Sequence, residues 1–222
     1  MNRSWIAICL IAFGALSACA SGQKVPDWSI SALGHVQRFN DAYLSGDARV
    51  ARREFEQARA DTARTGRPDL VARVELNRCA AQVASLDFAP CTGFDALAPD
   101  AGAAERAYAR YLAGQAGAAE APQLPPQHRA IAAGGASVAA IDEPLARLIA
   151  AAVLLRQGRA TPDVARQAVD TASHQGWRRP LLAWLGVQRQ RAEQGGDAAE
   201  VARIQRRMDL VQPAAPQAGP AR

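Results

Sequence analysis

Apolar residues return at every third or fourth position through most of this chain, interrupted by short turns rich in Gly, Pro and Asp. That period puts them on one face of successive helices. The first pair is expected at Ile30–Leu44 and Ala48–Thr65, around the turn Ser45-Gly46-Asp47. Leu33, Val36, Phe39 and Tyr43 line one helix, and Ala51, Phe55, Ala58 and Thr62 line the other. Asp47 suits the N-cap of the second. Gly66 and Pro68 end that helix and start a third over residues 70–86, with Leu76, Cys79, Val83 and Leu86 in one stripe.

The same grammar returns in the last third. Leu145, Leu148, Ala152 and Leu155 form a stripe that stops at Gln157-Gly158-Arg159. Thr161-Pro162 reads as an N-cap followed by a first-turn proline, leading a helix with Ala165, Val169 and Ala172. Pro180 opens a helix carrying Leu181, Trp184, Leu185 and Gln188, which Gly195-Gly196 closes. Asp197 and Glu200 have capping-box spacing, and Val201, Ile204, Met208 and Val211 follow as the final stripe. The pattern predicts an all-α fold of stacked helical hairpins, 30–94 and 143–211. Between them, residues 95–142 are rich in Ala, Gly and Pro and read as a connecting region. Within it 103–114 reads as a helix, 116–127 as a linker or long loop, and the Ala-rich runs near 129–141 as short helices interrupted by Gly134-Gly135. Residues 212–222, QPAAPQAGPAR, read as a disordered tail.

Composition fits helices over sheets: 49% of residues are apolar, Ala dominates that share, and only 5% are aromatic. The formal net charge is +5, and Lys24 is the only lysine. Arginines cluster at 49/52/53, at 178/179 and at 203/206/207. Two explanations stay open, a coding bias toward Arg and Ala or a selected basic surface; Arg203, Arg206 and Arg207 are the candidate interaction face.

The N-terminus is different in kind. Arg3 precedes an apolar run from Trp5 to Ala15, too short for a bilayer core that needs about 20 residues but suited to an export signal. No later stretch is long and apolar enough to span. Leu16-Ser17-Ala18-Cys19 follows, a branched aliphatic, two small residues and a cysteine. This resembles the lipobox of bacterial lipoproteins. The resemblance implies that residues 1–18 are a removed signal peptide, that the Cys19 thiol carries diacylglycerol, and that residues 19–29 are a lipid-anchored tether. Several acyl chains give stable anchoring. Ala20, where an Asp would favour retention at the inner membrane, implies the outer membrane, facing the periplasm. Export leaves nucleic acid out as a partner.

Cys9 leaves with the signal and Cys19 takes lipid, so Cys79 and Cys91 remain as an even pair in an oxidising compartment. Helix rise from Cys79 to Leu86 is about 10 Å, and the following DFAPC segment is long enough to double back. A structural disulfide is expected, with two buried reduced thiols as the alternative. The spacing is wrong for a redox CxxC pair, and no His lies near enough to complete a metal site.

The stretch Ala42-Tyr43-Leu44-Ser45-Gly46-Asp47, with Ala51, Phe55 and Ala58, resembles a tetratricopeptide repeat, in which small and aromatic residues of the second helix pack on the first. Gly46-Asp47 stands one residue closer to Tyr43 than in that family, and Pro68 comes late. Leu181–Met208 is a weaker echo and Leu145–Ala172 weaker still, and no 34-residue period runs through the chain. The resemblance implies an irregular α-solenoid over about half of the sequence; another irregular all-α fold is the alternative.

Chemistry is sparse. His35, His128 and His174 are far apart and lack partners at i+3 or i+4, so a structural or exposed role is expected for each. No serine sits in a GxSxG setting. Glu54/Glu56 and Asp142/Glu143 are acidic pairs of the kind that, on helices and caps, read as solvated. Gly134-Gly135 lacks the lysine of a phosphate loop, and Trp177 and Trp184 are expected to pack between the last helices. No cofactor motif is present. The expectation is a non-catalytic, lipid-anchored scaffold that engages a cell-envelope protein. The alternative is a small-ligand-binding or enzymatic envelope lipoprotein with a cryptic site.

Overall fold

The computed structural model describes residues 25–212, and every regular element among them is helical. The helices are α1 (Asp27–Ser45), α2 (Ala48–Ala63), α3 (Pro68–Ala84), α4 (Thr92–Asp95), α5 (Ala103–Leu112), α6 (Pro126–Ala132), α7 (Pro144–Arg156), α8 (Pro162–His174), α9 (Arg178–Gln194) and α10 (Ala198–Val211). A single 3-10 turn, Ala121–Gln123, precedes α6. The signal, Cys19 and residues 213–222 lie outside the described residues. No described helix is long and apolar enough to cross a membrane.

The expected punctuation is physically at work. Gly46 adopts a left-handed φ of 89° that lets α1 turn into α2, and the Asp47 carboxylate accepts from Val50 N at 3.0 Å. Thr161 Oγ1 accepts from Val164 N at 3.2 Å, ahead of Pro162. The capping box at α10 is half formed. Asp197 accepts from Glu200 N at 2.9 Å, but the Asp197 backbone N–H already donates to Ala192 O at 3.0 Å. Glu200 therefore turns to Arg203 instead.

Helices α3 and α7 pack together at the centre. From Leu148 to Leu154 every residue of α7 is buried, as expected of a helix apolar all round. The single stripe read from the sequence undercounts this helix, because alanines 150–152 fill core positions that a search for large side chains passes over. Leu145 and Leu155 are only half-buried. On α1 the outcome reverses: Leu33 is 59% exposed, while Ala32, Phe39 and Leu44 are buried. Two neighbouring stripes fit the same period, and contact with α2 and α3 selects the one holding Ala32. The Ala51, Ala58 and Thr62 face of α2 is buried as expected.

Three boundaries move. Residues 27–29 belong to α1, so the tether reading stops at Pro26. Helix α2 ends at Ala63, and α3 ends at Ala84 rather than 86. Leu86 takes a φ of 60°, leaves the helix and packs against the core. The connecting region 95–142, helical at Ala103–Leu112 and Pro126–Ala132 with a long loop between, packs into the body of the fold. Leu124, Ile131, Val138 and Ile141 are buried in the same core as Leu148 and Trp184. Its large apolar residues come singly between Ala, Gly and Pro, so no period betrays them.

Cys79 on α3 and Cys91 at the head of α4 form a disulfide, with Cα atoms 5.8 Å apart. The bridge seats α4 on α3 and buries Phe94. It also brings Gly93 against the Glu75 carboxylate, where a Cβ would overlap the side chain. Glu75 is buried and balanced by Arg59 at 2.9 Å and Arg78 at 2.8 Å.

The array also closes across its ends. Trp184 packs between α9 and the end of α3, with Nε1 donating to Ala84 O at 3.3 Å, so its setting reaches beyond the last helices. Arg179 Nε donates to Tyr43 O at 2.8 Å, and its guanidinium lies 4.3 Å from the Tyr43 ring centre. Arg179 is thus a tie between α9 and α1, not part of a free basic patch.

Candidate functional site

A cavity of about 510 Å³ opens between α3, α5, α6 and the start of α7. Leu76 and Ala80 from α3 and Leu145, Ala146 and Ile149 from α7 give it an apolar floor. Tyr108 and His128 form its aromatic side. The local sequence explains their placement. Pro125 is extended and its carbonyl accepts from His128 N at 2.9 Å, while Pro126 begins α6. His128 is thereby carried inward on the first turn of a short helix. Tyr108 and Tyr111 are three residues apart on α5 and share a face, their ring centres 6.2 Å apart. The His128 ring lies 5.7 Å from Tyr108 and 4.8 Å from Tyr111.

His128 is 1% exposed, and its Nδ1 has no hydrogen-bond partner; the buried Tyr111 hydroxyl also has none. Leaving such an atom unpaired costs about 1–3 kcal/mol. Burial pushes the His128 pKa down to about 4, so the ring is neutral near pH 7. Burial likewise pushes both phenols above their ordinary range. The charged groups around the opening are engaged. Arg73 pairs with Glu105 at 2.7 Å, and Arg129 Nε donates to Leu124 O at 2.9 Å. Glu143 caps α7 by accepting from Leu145 N and Ala146 N. Asn77 exchanges two hydrogen bonds with Asn40, at 2.9 and 3.3 Å.

A neutral imidazole with a depressed pKa makes stability depend on acid. The unfolded chain binds a proton near pH 6.5 and the folded chain only near pH 4, so stability is complete above pH 6.5 and falls as pH drops through that window. Between pH 6.5 and 5 the expected loss is about 2 kcal/mol. Denaturant midpoints at the two pH values measure it, and His128→Phe should remove most of the difference. An equal pH response in the variant would contradict the assignment to His128.

The other sequence candidates are scattered. His35 lies in a polar seam between α1 and α2, its Nδ1 2.7 Å from Glu54 Oε2, and Ser31 donates to buried Asp61 at 2.6 Å. His174 is exposed at the end of α8. Among the described residues no cluster of three His, Cys, Asp or Glu is placed to hold a metal. The expected Arg203/Arg206/Arg207 face is divided. Arg203 and Arg207 line a groove between α8, α9 and α10, and exposed Arg206 falls outside it. Arg203 is held by both oxygens of Glu200, at 2.6 Å each. Helical spacing puts the three on one broad side, but the Glu200 pair and the groove separate them.

In the sequence His128 is one of three isolated histidines with no partner at i+3 or i+4. Pro125-Pro126 ahead of it and the Tyr108/Tyr111 pair at i,i+3 are its only local signals, and the fold brings these together. Comparison with known protein families, with curated proteins and with solved structures finds no match to this chain.

Proposed function

We propose that this chain is a non-catalytic interaction module of the cell envelope, anchored in the outer membrane through acyl groups on Cys19 and facing the periplasm, where it engages a protein partner. The observation that carries the binding part is the open, largely apolar cavity beside Tyr108 and His128, a shape suited to receiving a group from another molecule. A binding role is favoured over turnover. A general base needs a partner that orients it and a pKa near the working pH, and His128 has an unpaired Nδ1 and a pKa near 4. The Cys79–Cys91 bridge supports an oxidising compartment. The lipobox order at Leu16–Cys19 supports the anchor, and the tetratricopeptide-like Ala51, Phe55 and Ala58 packing supports a scaffold. A small-ligand-binding or enzymatic envelope lipoprotein with a cryptic site is the second reading, favoured by the size of the cavity.

Two arms test this in cells. Cys19→Ser should move the protein out of the membrane fraction or block its processing; normal processing and fractionation would overturn the anchor. A photo-crosslinking residue at Gln127, on the cavity rim, should trap a specific protein that the same residue at Arg53, on exposed α2, does not. Identical products from both positions, or none from the rim, would overturn the partner.

A further inference from the structure

We propose that the N-terminal half of α1 rests on the phospholipid surface, sinking Val25, Ile30 and Leu33 into the headgroup layer beside the acyl anchor. This rests on the proposed anchor at Cys19 and adds the orientation in which that anchor holds the body. Among the described residues four large apolar side chains stand exposed, and three of them fall in this one stretch: Val25 at 55%, Ile30 at 60% and Leu33 at 59%. The fourth, Leu210, belongs to the end of α10. Helix geometry sets Ile30 opposite the buried face, because buried Phe39 follows it by about two and a half turns. Leu33 is the neighbour of Ile30 at i+3. Helices α2 and α3 pack on the Ala32 and Phe39 side and leave this one open. A helix side that faces water is ordinarily polar. Here Gly34 and Gln37 continue the face without charge. Asp27 and Arg38 lie on its flank, and the Arg38 guanidinium is turned to Glu54 at 2.8 Å. Exposed Asp41, about two turns past Leu33, ends the uncharged stretch.

Chain length chooses the occupant. Val25 follows Cys19 by six residues, which span at most about 20 Å. A helix that begins at Asp27 is therefore held within reach of the lipid that the acyl chains enter. Asp27 to Leu33 rises about 9 Å, so a helix lying along the surface brings all three side chains to one depth. Interfacial helices bury apolar faces about 5–10 Å deep in this way. Three side chains are few for a specific protein interface, which takes about 800 Å² per partner. They suffice at a membrane because the acyl chains already supply the anchoring.

The test uses the full acylated protein in phosphatidylcholine vesicles, its acyl groups verified by mass. Single nitroxide labels are placed at Val25→Cys, Ile30→Cys or Leu33→Cys, with Ser173→Cys on exposed α8 as the control. The first three labels are expected to gain collisions with oxygen, which concentrates in lipid, and to lose them with a water-soluble nickel chelate. The control label should remain open to the chelate. Labels at 30 and 33 that stay open to the chelate on acylated protein would overturn this inference and leave the anchor standing. Protein that carries no acyl group overturns the anchor itself, and this inference with it. Shielding of the labels from both reagents also overturns it, and spin–spin broadening that unlabelled protein dilutes away would then assign the face to a second copy. Ile30→Glu with Leu33→Glu supplies the converse. Both side chains are exposed, so the thermal midpoint should hold while the Val25 label returns to water. A Val25 label that stays in lipid despite the two acids would remove the role given to Ile30 and Leu33.

Discussion

Trp184→Ala is expected to lower the folding free energy by about 3–5 kcal/mol, the range for truncating a buried tryptophan. Trp184 is fully buried and is the largest such side chain among the described residues. Its ring joins α9 to the end of α3, residues 100 apart in sequence, so its loss opens a void between the two halves of the chain. The indole N–H also satisfies the Ala84 carbonyl, one of the orphan acceptors at a helix C-terminus. Trp184→Phe separates the two contributions. It keeps most of the apolar contact and forfeits the hydrogen bond, for an expected cost of about 1–3 kcal/mol. Urea unfolding of the three proteins measures both numbers. A Trp184→Ala midpoint equal to the unaltered protein's would mean that the halves do not depend on this contact.

Opening the Cys79–Cys91 bridge is the second large effect, about 3 kcal/mol for a loop of this length in the chain-entropy account. The loss has a local address. The bridge holds α4 on α3, and with it buried Phe94 and the close approach of Gly93 to Glu75. Released, the segment after α3 gains freedom chiefly in the unfolded ensemble, and Glu75 gains water at one side of its pairs with Arg59 and Arg78. The check is a thermal melt with and without reductant, beside a Cys79→Ala/Cys91→Ala double variant. Reductant should lower the unaltered protein's midpoint to near that of the double variant and leave the variant itself unmoved. A midpoint indifferent to reductant would argue that the bridge contributes nothing to stability.

Most of the helical framework was legible from local rules. Asp47, Thr161 and Asp197 announce helix starts because capping depends on a neighbour two or three residues away. The disulfide was legible because its partners are twelve apart and a proline lies between them. What escaped depends on distant partners. Leu124, Val138 and Ile141 stand in segments without a helical period, and only the assembled fold makes them core. Leu33 and Ala32 are equally plausible from spacing, and α2 decides between them. The candidate site was the least legible part, since Leu76, Tyr108, His128 and Ile149 come from four elements and none carries a motif.

The contact between α1 and α9 has a mechanical consequence. In a linear repeat array each unit touches only its neighbours, so tension on one end peels units away in turn. Here the first described helix is gripped by α2 and α3 and, through Arg179, by a helix near the far end of the chain. A pull at the N-terminal side is therefore shared at once between early and late parts of the sequence.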